Sequence, residues 1–447
     1  MSRKRITRRR FVAGSAAAAA AAISAPHVST AQAAGKLSLG LWDHWVPGGN
    51  KVMDDIAQEW AKKEKVDLTI DYLSTQGNKL LLTIAAEAQA RAGHDVMDFS
   101  AWEPAQYTRL LEPVGDVMKE VLATNGPISE AMEYIGTASG TWNVVPSTRG
   151  SLILPPCSRI DYFKEFAGID VQAMYPAGKD PTAAADSWTW DTFLTAAEKC
   201  HKAGHSFGLP LGATTDSLDW VGALFSAYGA ALVDAKGNIT VNSDEVRQVL
   251  EYAKRLFAFL PSDVASWDNA SNNKWLLSGK GALIFNPPST WVVAKRDAPD
   301  VAAKLWTHAM PKGPKGRFAP LLPRYQGLWN FSKNKSAAKS LMVHMNQPDN
   351  IRKIVAGAAG YDIPPYQKLL DYRVWDDQGP PPGTLSHYPN RGDQRNAMPC
   401  SPAPPQIASQ LYTNAVMPKM IVRIGRGESI EKTLAWAATE IEGYSRQ

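Results

Sequence analysis

Leu37, Leu39 and Leu41 alternate with Lys36, Ser38 and Gly40, and Val66, Leu68 and Ile70 repeat the same period-two pattern further along. Alternation of this kind predicts half-buried strands. Between them Met53, Ile56, Ala57 and Trp60 follow the spacing of one helix face, with Asn50 as a candidate N-cap. Leu81, Ile84, Ala85 and Ala88 repeat the helical spacing, Gly93 offers a stop, and Val96–Phe99 reads as a third strand. The opening is therefore β-α-β-α-β, and right-handed crossovers make its strands parallel. Ligands of such open sheets sit beyond the carboxyl ends of the strands. Here those ends carry Trp42-Asp43-His44-Trp45, Ser74-Thr75-Gln76-Gly77-Asn78 and Ala101-Trp102-Glu103, three aromatic and polar loops expected to converge on one edge.

The middle of the chain is richer in helix. Thr189 precedes a run in which Phe193, Ala196, Ala197 and Cys200 share a face, with Gly204 as its stop. From Ser243 a second helix carries the stripe Val246, Val249, Leu250, Ala253, Phe257 and Leu260, closed by Pro261. Gly281–Phe285 reads as a short strand. Residues 378–405, with their Gly-Pro-Pro-Pro-Gly and Pro-Ala-Pro-Pro runs, read as an irregular surface excursion. A last helix carries Ile430, Leu434, Ala438 and Ile441.

Composition narrows the class. Of 447 residues, 45% are hydrophobic and 20% charged, ordinary for a globular chain and enough, at about 150 residues per domain, for two lobes. The formal charge of +5 misleads, because six of the Lys and Arg residues precede position 35 in a segment without Asp or Glu. The remainder holds 42 basic against 43 acidic residues, which removes the case for nucleic acid or an anionic membrane as partner. Residues 1–34 have the layout of an export signal: a charged start, an alanine-rich apolar run from Phe11 to Ala25, and small residues at the end. That run is too short to span about 30 Å of hydrocarbon comfortably. Thr7-Arg8-Arg9-Arg10-Phe11-Val12 resembles the twin-arginine export motif, so a mature protein starting near Ala34 or Gly35 and residing in a bacterial periplasm is expected.

Much chemistry is missing. The sequence has no phosphate-binding glycine loop, no Cys-x-x-Cys, no His-Glu-x-x-His and no Gly-x-Ser-x-Gly elbow. Three cysteines cannot form a disulfide framework in a chain of this length. Cys200, His201 and His205 could be a metal cluster, but Cys200 lies on an apolar helix face and the histidines flank the helix end, which favours a packing role; neither a metal nor a cofactor is expected. What is abundant is tryptophan, fifteen in all, several in loops beside Asp, Glu, Asn and Arg. An indole offers about 150–250 Å² of rigid contact to the C–H face of a pyranose, and the sugar's hydroxyls then need directional partners, since a buried unpaired polar group costs about 1–3 kcal/mol. The alternative is that Trp42, Trp102 and Trp291 are interlobe core.

Asp95-Val-Met-Asp-Phe-Ser-Ala-Trp102 with Leu111-Glu-Pro-Val114, Trp188-Thr-Trp-Asp-Thr-Phe193, Trp275–Asn286 leading to Trp291, Gly327–Ala338 and Gly360-Tyr-Asp-Ile-Pro364 follow one another in an order and spacing that resembles the family 1 extracellular solute-binding proteins, the sugar-capturing subunits of ATP-binding cassette importers. The resemblance covers nearly all of the mature chain. It implies an α/β, two-lobed periplasmic-binding-protein-like fold of type II with the ligand cleft between lobes. It divides the chain into an address segment 1–34, a first lobe of 35–147 and 317–348, and a second of 148–316 and 349–447. It implies no catalysis, a carbohydrate ligand, a membrane permease as partner and a monomeric protein. The residues it places in the cleft are Trp42, Asp43, Trp45, Trp102, Glu103, Thr148, Arg149, Asp219, Trp220 and Trp291. Two other readings stand beside it: a glycan-cleaving enzyme with two of these carboxylates as acid and base, and a binder of a polyol, a glycerol phosphate or an oligopeptide.

Overall fold

Leu37, Leu39 and Leu41 do point inward together, in strand β1 (Lys36–Trp42), but Gly40 and Trp42 are buried too because the strand is central. The computed structural model describes residues 35–444 except 139, 286, 371–373 and 385–391; residues 1–34, expected to be an export signal, lie outside the described residues. Helix α1 (Pro47–Glu64) starts earlier than expected, with proline at its first turn and no side-chain cap. Asn50 serves instead as a bridge: its Oδ1 accepts from the His44 amide and its Nδ2 donates to Asp43. Strand β2 (Asp67–Leu73), helix α2 (Lys79–Ala90) and strand β3 (Val96–Ser100) complete the opening unit, with β1 parallel to both neighbours. The buried face of α2 is Leu80, Ile84, Glu87 and Ala88. Glu87 belongs there because its carboxylate accepts from the Trp329 indole and the His94 amide. Strand β4 (Val144–Pro146) ends this stretch.

The chain then enters a second layer. Strands β5 (Leu152–Ile153) and β6 (Pro156–Arg159) lead to helix α3 (Trp190–Lys202), which Thr189 caps by accepting from the Thr192 amide, to α4 (Thr215–Tyr228), and to α5 (Asp244–Phe257), capped by Ser243. The α5 stripe is buried through Val246, Val249, Leu250, Ala253 and Leu256, and Ser243 holds the expected cap. Strand β7 (Leu283–Phe285), helix α6 (Pro287–Asp297) and strand β8 (Leu305–Thr307) follow. Next come strands β9 (Gly316–Leu322) and β10 (Arg324–Leu328), and helices α7 (Lys335–Met345) and α8 (Pro348–Gly357). Strand β11 (Gln394–Ala397) and helices α9 (Pro405–Thr413), α10 (Val416–Gly425) and α11 (Ile430–Tyr444) close the chain.

Among the described residues the first sheet has the order β2-β1-β3-β10-β4, with β10 antiparallel to both neighbours. The second lobe holds the sheets β11-β9-β5 and β7-β6-β8. Strands β9 and β10 are separated by Pro323 alone yet belong to different sheets: Leu322 pairs with Leu152, and Arg324 with Ser100. The change of sheet falls at this proline, which has no amide hydrogen to give to either ladder. Strand β9, from Gly316 on, thus shares its sheet with β5 and β11 rather than with the first sheet. Helix α8, expected beyond the next switch, packs on α1 so closely that a Cβ on Gly48 would meet the Gly357 carbonyl at 2.3 Å. The Gln367 amide still donates to Pro127. The expectation for 378–405 is also corrected in part: Gln394–Ala397 pairs parallel with β9, and Met398 and Ala403 are buried. Among the described residues no helix is long and apolar enough to cross a membrane.

Candidate functional site

Three segments pass between the sheets side by side. The Gly150 amide donates to Asp362 Oδ1 at 2.7 Å, Ile363 N donates to the Gly150 carbonyl, and Ser147 N donates to the Arg324 carbonyl. The loop after β1 is tied to them through His44. Its Nδ1 accepts from the Val46 amide, so Nε2 carries the proton and donates to Asp362 Oδ1 at 2.8 Å. Above these crossings two adjoining cavities lie between the lobes, sharing Thr75, Thr215 and Asn269. One is walled by Asn78, Ser100 and Glu103 from the first lobe and by Thr214, Leu218 and Tyr412 from the second. The other is walled by Trp45, Ser151, Asp216, Arg324 and Tyr361. Their volumes are about 60 and 40 Å³, room for a few waters at roughly 10–15 Å³ each, so a ring-sized solute would enter only with the lobes spread.

Each wall is held by local chemistry. Thr214 caps α4, accepting from the Ser217 amide at 3.3 Å, and so fixes the turn that presents Thr215 and Asp216. Asn272 Nδ2 donates to Asp216 Oδ2 at 3.0 Å, and the Thr215 hydroxyl donates to Asn269 Oδ1 at 3.3 Å. On the opposite wall the Ser100 amide donates to Glu103 Oε2 at 2.7 Å. Burial pushes both carboxyls up, Glu103 to about 7 and Asp216 to about 7, against the hydrogen bonds they accept. Asp219, one turn below Asp216, is raised further by burial and then by the neighbouring Asp216 charge, and its Oδ1 accepts from the Tyr412 hydroxyl.

Of the ten residues expected in the cleft, Trp45 and Glu103 line it. Trp42 is sealed beneath it, its ring 4.0 Å from the Arg324 guanidinium carbon and 4.6 Å from the His44 ring, and its indole Nε1 is buried without a hydrogen-bond partner. Asp219 stands behind the wall. The other six are placed differently. Asp43 is exposed and accepts from Asn50. Trp102 is sealed, its Nε1 donating to the Pro399 carbonyl at 2.7 Å, which joins the first lobe to the 394–405 stretch. Thr148 is buried in a crossing segment. Arg149 is a structural strut: Nη2 donates to the Trp42 carbonyl and to Asn50 Oδ1, and Nη1 lies 3.5 Å from Asp98. Trp220 is core, donating to the Pro210 carbonyl. Trp291 packs with Cys157, Leu276 and Ile284 and borders a separate groove with Trp306. Except for Asp43, which points to solvent, they share one reason: each lies on the face its element turns toward a core, a direction that residue type alone does not encode.

Sequence reasoning missed Asp216, Asn269, Arg324, Tyr361 and Tyr412 as wall residues. Two of them had a signal, since Asp216 opens a helix and Tyr361 sits in the Gly360–Pro364 turn. Cys200, His201 and His205 do not converge. His201 bonds Ser206, His205 stacks on Tyr162 at 3.8 Å, and among the described residues no group of three potential metal ligands occurs. The three cysteines are buried free thiols.

Comparison with known proteins bears on this arrangement. A probable ABC transporter-binding protein of Deinococcus radiodurans is 28% identical over 172 residues, which span 35% of this chain and 40% of that relative. The fold is similar to that of maltose-bound MalE3 of T. maritima, with 16% identity, TM-score 0.72 and coverage of 91% of this chain and 99% of that one. It is also similar to a sugar transporter protein of Arthrobacter chlorophenolicus with bound laminaribiose, with 14% identity, TM-score 0.73 and coverage of 92% and 99%. The family described as bacterial extracellular solute-binding protein matches residues 55–379, well over half of the chain, and with two lobes, three crossings and a walled gap between them the chain belongs to that family.

Proposed function

We propose that this chain captures a sugar between its lobes and delivers it to the membrane subunits of an ATP-binding cassette importer. The observation that carries the proposal is the interlobe gap itself, in which Trp45, Tyr361 and Tyr412 stand among Thr75, Asn78, Glu103, Asp216 and Asn269. Aromatic faces suit the C–H face of a sugar ring, and the amide and carboxyl groups suit its hydroxyls. Solved structures similar in fold carry maltose, laminaribiose and D-mannitol. A solute that touches both walls is held fully only when the lobes close, so it shifts the population to the closed form. A micromolar dissociation constant needs about 8 kcal/mol, within reach of a few ring contacts and hydrogen bonds after association costs. The finer expectations belong to this reading: residues 1–34 as a twin-arginine signal, a periplasmic location, a monomer, and lobes of 35–147 with 317–348 and of 148–316 with 349–447, the change of sheet at Pro323 favouring a boundary there over one at 317.

A thermal-shift screen of neutral mono- and disaccharides and polyols tests it. A solute that binds only the folded state raises the melting point, by an amount that grows with the logarithm of its concentration over Kd, and a panel with no shift would sink the proposal. Glu103 and Asp216, two carboxyls held near neutrality on opposite walls, are also the groups a glycoside-cleaving site would use. Incubation with glycosides separates the readings, because a transport protein returns its sugar intact.

A further inference from the structure

Arg324 is the cation of the gap. Among the described residues that wall the two cavities it is the one basic side chain, facing the carboxylates Glu103 and Asp216, with Asp219 behind. Its place is built by three elements. Its backbone pairs with Ser100 at the end of β3 and accepts from Ser147 of the first crossing, and its guanidinium lies over the Trp42 ring at 4.0 Å. Gly150 of the same crossing makes room for the stem, since a Cβ there would stand 2.9 Å from Arg324 Cδ. Thus held, the guanidinium keeps its Nη1 buried with no hydrogen-bond partner. A buried guanidinium nitrogen without a partner is costly, and a second solute-facing group can repay that cost.

We infer that Arg324 binds the solute directly and, set between Glu103 and Asp216, selects uncharged hydroxyl-rich molecules. The inference rests on the sugar-binding reading and sharpens it. A hydroxyl accepts from Arg324 and donates onward to a carboxylate, satisfying both. Above about pH 7, where Glu103 and Asp216 ionise, a carboxylate or phosphate on the solute would gain Arg324 but meet two negative walls. The first turn of α4 would by itself favour an anion, but the Asp216 carboxylate then occupies that turn. Sugar acids and phosphorylated sugars or glycerols are therefore disfavoured by charge above that pH.

The test compares the wild-type protein with Arg324→Met and Arg324→Lys by calorimetry at about pH 8, above the range in which Glu103 and Asp216 hold their protons, against glucose, maltose, mannitol, glucuronate and glucose 6-phosphate. The expected result is binding of a neutral probe only, weakened about ten- to a hundred-fold by Arg324→Met, as for loss of a charged hydrogen bond, and partly restored by Arg324→Lys. Melting of the unliganded variants monitors folding, and Arg324→Lys, which keeps stem and charge, carries the test if Arg324→Met does not fold. Equal affinity of folded variants and wild type, or preferential binding of glucuronate or glucose 6-phosphate, would overturn the inference while leaving a binding protein. Failure of every probe to bind the wild type would instead remove the sugar reading on which it rests.

Discussion

Three tryptophans of the first lobe separate packing from recognition. Trp42 and Trp102 are essentially inaccessible, and Trp102 spends its one donor on Pro399. Truncating either to alanine should cost about 3–5 kcal/mol of stability, the usual toll for a large buried aromatic, measurable as an early urea midpoint. Trp102, which the resemblance places in the cleft, is by this geometry a packing residue. Trp45, half-buried at the cavity wall, behaves oppositely: Trp45→Ala should weaken sugar binding about tenfold with the smaller stability loss. Unchanged affinity in that variant would show that the ring faces no solute. The residue types and the loop were legible in the sequence, whereas the burial of each indole was not, because neighbours from Arg324, Tyr361 and Pro399 decide it.

At the scale of elements, the helix starts at Thr189 and Ser243 were readable, whereas Asn50 does not cap α1 and the start at Thr214 was not read. Thr189, Thr214 and Ser243 each cap a helix by accepting from the amide three residues on, and replacing any of them with alanine should cost about 1 kcal/mol. Thr214→Ala should in addition lower sugar affinity, since its helix turn presents Thr215 and Asp216 to the gap; Thr189→Ala should not. Calorimetry on the two variants at matched stability distinguishes them, and equal affinities would mean that α4 is not part of the site. Strand patterns were clear where one face is buried, as in β1, and weak in the two-residue and three-residue strands of the second lobe. The apolar run Gly281–Phe285 did announce β7, whereas the two-residue β5, held by its pairing with Leu321 and Leu322 of β9, is too short to carry any periodicity. The proline-rich stretch misled for a similar reason, as β11 is recruited into a sheet by β9 rather than by its own composition.

For the molecule as a whole, folding buries acid between the lobes. Glu103 and Asp216 hold their protons to about pH 7 in the folded protein and release them near pH 4 when unfolded. Between those limits the folded state binds more protons, so stability should fall as pH rises from about 4 to about 7 and level off above. His94, raised chiefly by its hydrogen bond to Glu87, acts in the same direction, so the comparison needs variants. Melting points of Glu103→Gln and Asp216→Asn should depend less on pH than those of the wild type; parallel curves would contradict the assigned cause. Scattering offers a second check. A bound sugar should narrow the distribution of radii of gyration, and no change at saturation would count against hinge closure. Periodicity, composition and motif order along the chain were enough to determined an α/β protein with parallel opening strands and a solute-binding lineage, because those signals are local or colinear. The cavity walls bring together Trp45, Thr75, Glu103, Asp216, Arg324 and Tyr361 from segments hundreds of residues apart. Which side chain faces the gap, and which is sealed under it, follows from packing across the crossings, and only the tertiary structure decided it.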